Sequence, residues 1–415
     1  MDRWFGVFTL WVGTSLLLAP IASGEPVTPE RVAQLPAAER AAWTAYLERS
    51  AACAQADADA LAAEVAAHGM STALKAPDGG DFKLSAKIGD PWFASPEAGE
   101  LATIVLSYQT PTGGWSKHTG YSRGPRQPGM QWSSQHEPGR SPHYVATFDN
   151  RSTTEQLWLL AGVWQATQRD DCRAGFARGL RFILAAQYPN GGWPQVFPLE
   201  GDYHDCVTLN DDAMAHILEL LDAIQRGDPA FAFLSDAERK AAADALDAGV
   251  DCVIRMQVDQ GGVKTGWCAQ HDAITLAPAG ARAMEPATLS GMESARLLKV
   301  LMTMAHPKPE LVAAIESGLA WLERVKVGGL AKTKVNGRTS YTPDPASPQV
   351  YWARFYDLAT SQPVFPGRDG KLYATFAEMS AQNDLGYDYY STIPGSIVTN
   401  GQKKWRKMLA KEAGG

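Results

Sequence analysis

Two short polar clusters stand just ahead of helix-like segments: Asp149-Asn150, followed by Ser152, and Asn210-Asp211-Asp212, followed by the apolar stripe Met214, Ile217, Leu218 and Leu221. Carboxylates and an amide from two loops suit a hard cation such as calcium, which takes several oxygen ligands and tolerates irregular geometry. An isolated Asp at a helix start usually serves as a cap. Here Ser152-Thr153-Thr154-Glu155 matches a capping box, in which the serine caps the helix and Asp149 is left for another role. A third polar position, Arg282, lies upstream of the second box, Ser290 to Glu293, in the proline-containing segment Ala277 to Pro286. By itself Arg282 reads as half of a salt bridge, with Glu285 close by. Arg354, within Tyr351-Trp352-Ala353-Arg354-Phe355, and Arg368, between Gly367 and Asp369, add planar guanidinium groups. Such groups bind carboxylates through paired hydrogen bonds; the aromatics around Arg354 read equally well as core.

What must position these groups is legible as a repeat. Gln109 precedes Gly113-Gly114-Trp115, Gln187 precedes Gly191-Gly192-Trp193, and Gln257 precedes Gly261-Gly262-Val263, with a degenerate copy at Arg324 and Gly328-Gly329-Leu330. Each copy follows a helical pattern, and glycines just past a helix supply the left-handed conformations that end it. The apolar stripe Leu157, Leu160, Ala161 and Trp164 keeps helical spacing and reads as core. Repeats of about 70 residues built from helix pairs must stack to bury their apolar faces. The expectation is an all-α fold, an α/α toroid or incomplete barrel of helix pairs with long loops and short irregular strands. Loops that run from a glycine-marked helix end to the next helix start then gather on one face, and Asp149, Asp211 and Arg282 are expected at corresponding places in successive repeats.

The whole chain sets outer bounds. In the 415 residues, Met1-Asp2-Arg3 and the apolar stretch Trp4 to Ala22 have the form of a secretory signal, cleaved after Gly24. Alanine-rich helical segments opening at Thr28-Pro29 make residues 25–80 a helical annex, with Asp78-Gly79-Gly80-Asp81 as exit linker; residues 81–415 hold the toroid. Export would expose the five cysteines, Cys53, Cys172, Cys206, Cys252 and Cys268, to oxidation, so one or two disulfides are expected. His204-Asp205-Cys206 lacks a second ligand pair and reads as core or disulfide. A formal charge of −7 argues against nucleic acid or an anionic membrane as partner, so an acidic substrate requires a local basic groove and a bound cation. The body is expected to be monomeric. Gly120-Tyr121-Ser122-Arg123-Gly124 has the letters of a serine-hydrolase elbow without the strand and helix that the motif needs.

Seven motifs in order, GGWSKH (Gly113 to His118), TFDNRSTTEQL (Thr147 to Leu157), YPNGGWPQVFP (Tyr188 to Pro198), TLNDDAM (Thr208 to Met214), WCAQHD (Trp267 to Asp272), ARAMEPATLSG (Ala281 to Gly291) and YWARFYDL (Tyr351 to Leu358), resemble polysaccharide lyase family ten, the α/α-toroid pectate lyases. The resemblance runs from about Ser85 to the C-terminus. It implies cleavage of polygalacturonate by β-elimination. It further implies that Asp149 and Asp211 bind Ca2+ with the substrate, that Arg282 removes the proton, and that Arg354 and Arg368 hold uronate carboxylates. Asn150 then contacts the sugar and Lys117 lies near the groove. Met284 stands where the resemblance leads one to expect an aromatic. The annex lies outside the resemblance.

The chemistry is coherent with these residues, since charge develops on the uronate in elimination and a cation against it would stabilise that charge. Arginine is normally always protonated, so an arginine base implies alkaline working conditions. Three alternatives use the same residues or repeats differently: a toroid glycoside hydrolase drawing on two of Asp149, Asp211, Asp212 and Asp272, a noncatalytic acidic-polysaccharide-binding protein, and a prenyl-binding toroid, which would need an apolar pocket and an aspartate-rich motif.

Overall fold

The computed structural model describes residues 24–85, 89–135, 143–335, 338–382 and 388–413; the expected signal segment, apart from Gly24, lies outside them. Three antiparallel helix pairs form the body: α4 (Thr154–Thr167) with α5 (Asp170–Ala186), α6 (Ala213–Gln225) with α7 (Asp236–Met256), and α8 (Gly291–Leu301) with α9 (Pro309–Arg324). The first members pack on one another, α4 to α6 to α8, and so do the second members, α5 to α7 to α9. That is two concentric arcs, and burial follows it. In α6 nearly every residue from Ala213 to Ile224 is buried, whereas α7 buries a stripe, Ala242, Ala245, Leu246, Gly249, Val250 and Val253. A helix enclosed on all sides must be apolar on all sides, and an outer one only along the face it presents inward. Strands are short and sit in the loops, as expected of an all-α toroid.

The repeat holds the arcs together through tryptophan plugs. Trp115, Trp193, Trp267 and Trp352 are all buried, and their indole N–H groups donate to helix-end carbonyls of Val105 in α3 (Pro96–Ser107) at 2.8 Å, Ile183 (2.9 Å), Val253 (2.8 Å) and Leu322 (2.7 Å). Each ring needs a glycine beside it. A Cβ on Gly249 would come within 2.7 Å of Trp193, and one on Gly318 within 3.0 Å of Trp267. The repeat glutamines tie consecutive units, since Gln109 Nε2 donates to Gly113 O and Gly175 O, Gln187 Nε2 to Gly191 O and Ala245 O, and Gln257 Nε2 to Thr265 O and Ala314 O. The third bond corrects the expected alignment. The third plug is Trp267, not Val263, because Gly261-Gly262 form the turn of an inserted hairpin pairing Asp259–Gln260 with Val263–Lys264. The fourth plug, Trp352, likewise follows the hairpin Leu330–Val335 with Arg338–Pro343 rather than Gly328-Gly329.

Two further expectations change. The five cysteines are free thiols, four of them buried; each is packed as a small apolar side chain, so core use prevails over disulfides. Asp78 to Asp81 is not a loose linker. Asp78 pairs with Thr119, Gly79 N–H donates to His118 O at 2.7 Å, and a Cβ on Gly79 would lie 2.8 Å from Gly120 Cα. Ahead of it, α1 (Pro29–Ala33) opens on the Thr28 cap as expected, and α2 (Ala37–Ala67) lies along the toroid. Tyr46 hydroxyl donates to Ala186 O, the Asp57 carboxylate accepts from Thr112, and Glu64 forms a two-bond pair with Arg126.

Candidate active site

Each inner helix is entered through a tight turn anchored to a plug. Thr147 N–H donates to Trp115 O, Thr208 N–H to Trp193 O, and Ser290 N–H to Trp267 O. Counting from these anchors aligns the three turns. Asn150 stands three residues after Thr147 with φ 50° and ψ 38°, and Asp211 stands three after Thr208 with φ 51° and ψ 27°. Left-handed backbone is uncommon for residues other than glycine and clusters at functional sites. Both turns therefore present their polar side chains by the same strained device, and they pack against each other.

The third place belongs to Glu293, three residues after Ser290, rather than to Arg282. Glu293 is buried and accepts from the Ser290 hydroxyl. It was legible only as the acidic member of the Ser290 box; half of that box exists, the Glu293 N–H donating to Ser290 Oγ at 3.4 Å. The other expected box, Ser152 to Glu155, is absent. The N-cap of α4 is Thr153, with φ 67° and no capping bond from its side chain. Thr153 instead accepts from Trp115 N–H and donates to Thr147 O, while Glu155 receives Leu84 N–H and Arg151. Asp149 is consequently released by the plug anchor, not by a serine cap.

Around these turns the structure gathers most of the expected residues. Lys117 Nζ pairs with Asp149 Oδ2 at 2.7 Å and lies 3.5 Å from the centre of the Tyr144 ring. Asn150 Nδ2 is 3.2 Å from His118 Nε2, which also faces Asp81. Arg354 Nη2 donates to Asn210 Oδ1 at 3.1 Å and Glu293 Oε1 at 3.3 Å. Asp212 pairs with Arg296 at 3.0 Å. Burial, with Asp149 and Glu293 nearby, pushes the Asp211 carboxyl up to about 7. Burial also pushes Asp212 up to about 6, against the opposing pull of Arg296. Tyr144 and Arg296 carried no sequence signal beyond their types, whereas His118 closes the GGWSKH motif; Tyr144 precedes the TFDN motif, and its ring becomes a neighbour of Lys117 only through the fold.

Arg282 and Arg368 sit on separate loops. A three-stranded antiparallel sheet aligns Val207–Thr208, Gln270–His271 and Pro278–Ala279. The first strand runs into the Asp211 turn and the third into Arg282. The Arg282 guanidinium is 55% exposed and bound to Glu285 by Nε to Oε2 (2.7 Å) and Nη2 to Oε1 (2.8 Å). The salt bridge considered for Arg282 is thus present. Arg368 is exposed on the turn following Phe365–Pro366; Tyr389 joins that turn to Arg354, its hydroxyl donating to Pro366 O and its carbonyl accepting Arg354 N–H. Asp272, a candidate under the hydrolase alternative, is engaged in its own turn and with Arg31 at 2.7 Å.

The residues present suit a hard cation. Asp149 Oδ1 is buried without a hydrogen-bond partner, and burial together with the neighbouring Asp149 and Glu293 carboxylates disfavours the charged form of Asp211. The donor set is oxygen-rich, as calcium requires.

A sequence model of the family described as Pectic acid lyase matches residues 109–398. Among curated proteins, no match is found. Among the solved structures that resemble the chain are two of family 10 polysaccharide lyase from Cellvibrio cellulosa. One, an aspartate-to-alanine mutant in complex with trigalacturonic acid, shares 32% identity with a TM-score of 0.64, over 75% of this chain and 96% of that one. The other shares 32% identity at a TM-score of 0.64, over 78% of this chain and 98% of that one. On its helical arcs, its plugs and these matches, the chain belongs to the pectic acid lyases of polysaccharide lyase family 10 and is a lyase.

Proposed function

We propose that the protein is a calcium-dependent pectate lyase that cleaves α-1,4-polygalacturonate by β-elimination, with Arg282 as the base. The observation that carries the calcium assignment is the buried, unpartnered Asp149 Oδ1 beside Asp211, whose carboxyl is held high by the same crowding. Asp149 and Asp211 would hold the ion, with Glu293 and Asn210 completing an oxygen-lined wall. When bound, calcium supplies Lewis-acid stabilisation of the charge that grows on the uronate carboxylate.

The chain's own side chains do the rest. Arg282, in its neutral form, takes the proton from the carbon bearing the uronate carboxylate; the electron pair forms the carbon–carbon double bond and expels the glycosidic oxygen, which takes up a proton from water, leaving an unsaturated sugar end. Glu285 orients the guanidinium before substrate arrives. Arg354 and Arg368 pair with uronate carboxylates, Arg354 by turning from Glu293, and Asn150 contacts the sugar. Lys117 adds positive charge between Asp149 and Tyr144. The trigalacturonic acid bound to the Cellvibrio enzyme supports a polygalacturonate substrate, and the apolar N-terminal segment supports export. The direct experiment follows ultraviolet absorbance of unsaturated product from polygalacturonate with and without a calcium chelator. Calcium-dependent absorbance is expected; reducing ends without absorbance would mean hydrolysis.

A further inference from the structure

Outside the carboxylate cluster, His143, Glu200 and His204 converge from two loops. One ring nitrogen of each histidine and one Glu200 oxygen lie within 4.8 Å of one another. Both histidines are 1% exposed, their rings meet edge to face at 5.0 Å, and His143 Nδ1 contacts Glu200 Oε2. Tyr144 braces two of the three: His204 Nε2 is bonded to its hydroxyl at 2.8 Å, and Glu200 Oε1 accepts its backbone N–H at 2.7 Å. Partners of this kind orient metal ligands and set their tautomers. Ligand atoms around a tetrahedral zinc lie about 3.3 Å apart, so closure of the widest separation by no more than about 1.5 Å brings the three into ligating range. A cleft of about 230 Å³ lined by Trp132, Val145 and Leu199 opens beside Glu200.

We propose that His143, Glu200 and His204 bind a divalent transition-metal ion of the zinc class, at a site separate from the calcium cluster. Two imidazoles favour a borderline-soft ion, whereas calcium takes oxygen ligands. The metal has a positioning role. Tyr144 follows His143 in the chain, is bonded to both other ligands, and sets its ring against Lys117, which pairs with Asp149. Metal binding therefore clamps the wall behind the Lys117–Asp149 pair.

The test uses the full chain, stripped with a strong chelator and titrated with Zn2+ by calorimetry and with Co2+ by visible absorbance, which reports nitrogen ligation. One ion per chain is expected, undisplaced by excess Ca2+, with a higher melting temperature. Glu200→Gln and His204→Gln should each weaken Zn2+ binding at least tenfold. Should either variant fail to fold, Tyr144→Phe keeps all three ligands and should retain one ion per chain with about tenfold lower affinity. No stoichiometric uptake by the wild-type chain overturns the proposal. So does wild-type affinity in the folded variants. The readout is metal occupancy, so its failure leaves the calcium-dependent elimination untouched, and failure of that reaction leaves this site standing.

Discussion

Glu285 holds Arg282 in a two-bond ion pair, with the carboxylate buried at 7% side-chain exposure and the guanidinium 55% exposed. An anchored guanidinium can be aimed at substrate, yet a carboxylate at that range favours its charged form. Orientation and basicity therefore oppose each other here. Arg282→Ala should remove elimination while polygalacturonate still binds, and Arg282→Lys should restore little, because lysine cannot reproduce the planar fork. Glu285→Gln should move the alkaline rise of kcat to lower pH and lower its plateau. Near-native turnover of Arg282→Ala at saturating substrate and alkaline pH would end the base assignment.

Asp149→Ala and Asp211→Ala should each lower kcat/KM at least 100-fold, about 3 kcal/mol of transition-state stabilisation. Both should keep the native far-ultraviolet circular dichroism. Excess chelator should bring the wild type to the same level, and Ca2+ should restore it. Full activity in chelator would contradict the calcium role.

Asp211 also links pH to stability. Its folded carboxyl sits at about 7 against an ordinary value of 3.8, so between those values the folded state keeps a proton that the unfolded chain has lost. Stability of the calcium-free protein should fall as pH rises from about 4 to about 7 and level off above, with this group contributing on the order of a few kcal/mol. Asp211→Asn should flatten part of that slope and erase most of the stabilisation by Ca2+, both read from melting temperatures across pH. A slope unchanged in Asp211→Asn would assign it to other buried acids, such as Asp212.

Arg354 and Arg368 should separate. Arg368 is exposed, so Arg368→Ala should raise KM on polygalacturonate with little change in melting temperature, and its effect should shrink on highly methyl-esterified pectin. Arg354→Ala should raise KM and also lower the melting temperature, because it leaves buried Glu293 without its 3.3 Å partner. Equal effects on esterified and free polymer would remove the carboxylate-binding role from both.

Much of this protein can be read from its residues in order. The helical periods of Leu157 to Trp164 and Met214 to Leu221, the glutamine–glycine repeat and the polar clusters before helix starts identify the toroid and the loops that carry the candidate site, because helix propensity, turn glycines and apolar spacing act over a few residues. What only the tertiary structure decided is the register between repeats. Trp267 and Trp352 take the plug positions expected of Val263 and Leu330, because inserted hairpins shift the plug along the chain, and the indole bonds that mark a plug reach carbonyls of a preceding helix. That register puts Glu293, not Arg282, in the third turn beside Asp149 and Asp211. The same holds for charge. Asp149, Asp211 and Glu293 are ordinary acids along the chain, and only their packing into one dry space raises the Asp211 carboxyl, since mutual repulsion and desolvation depend on distances that no linear spacing contains.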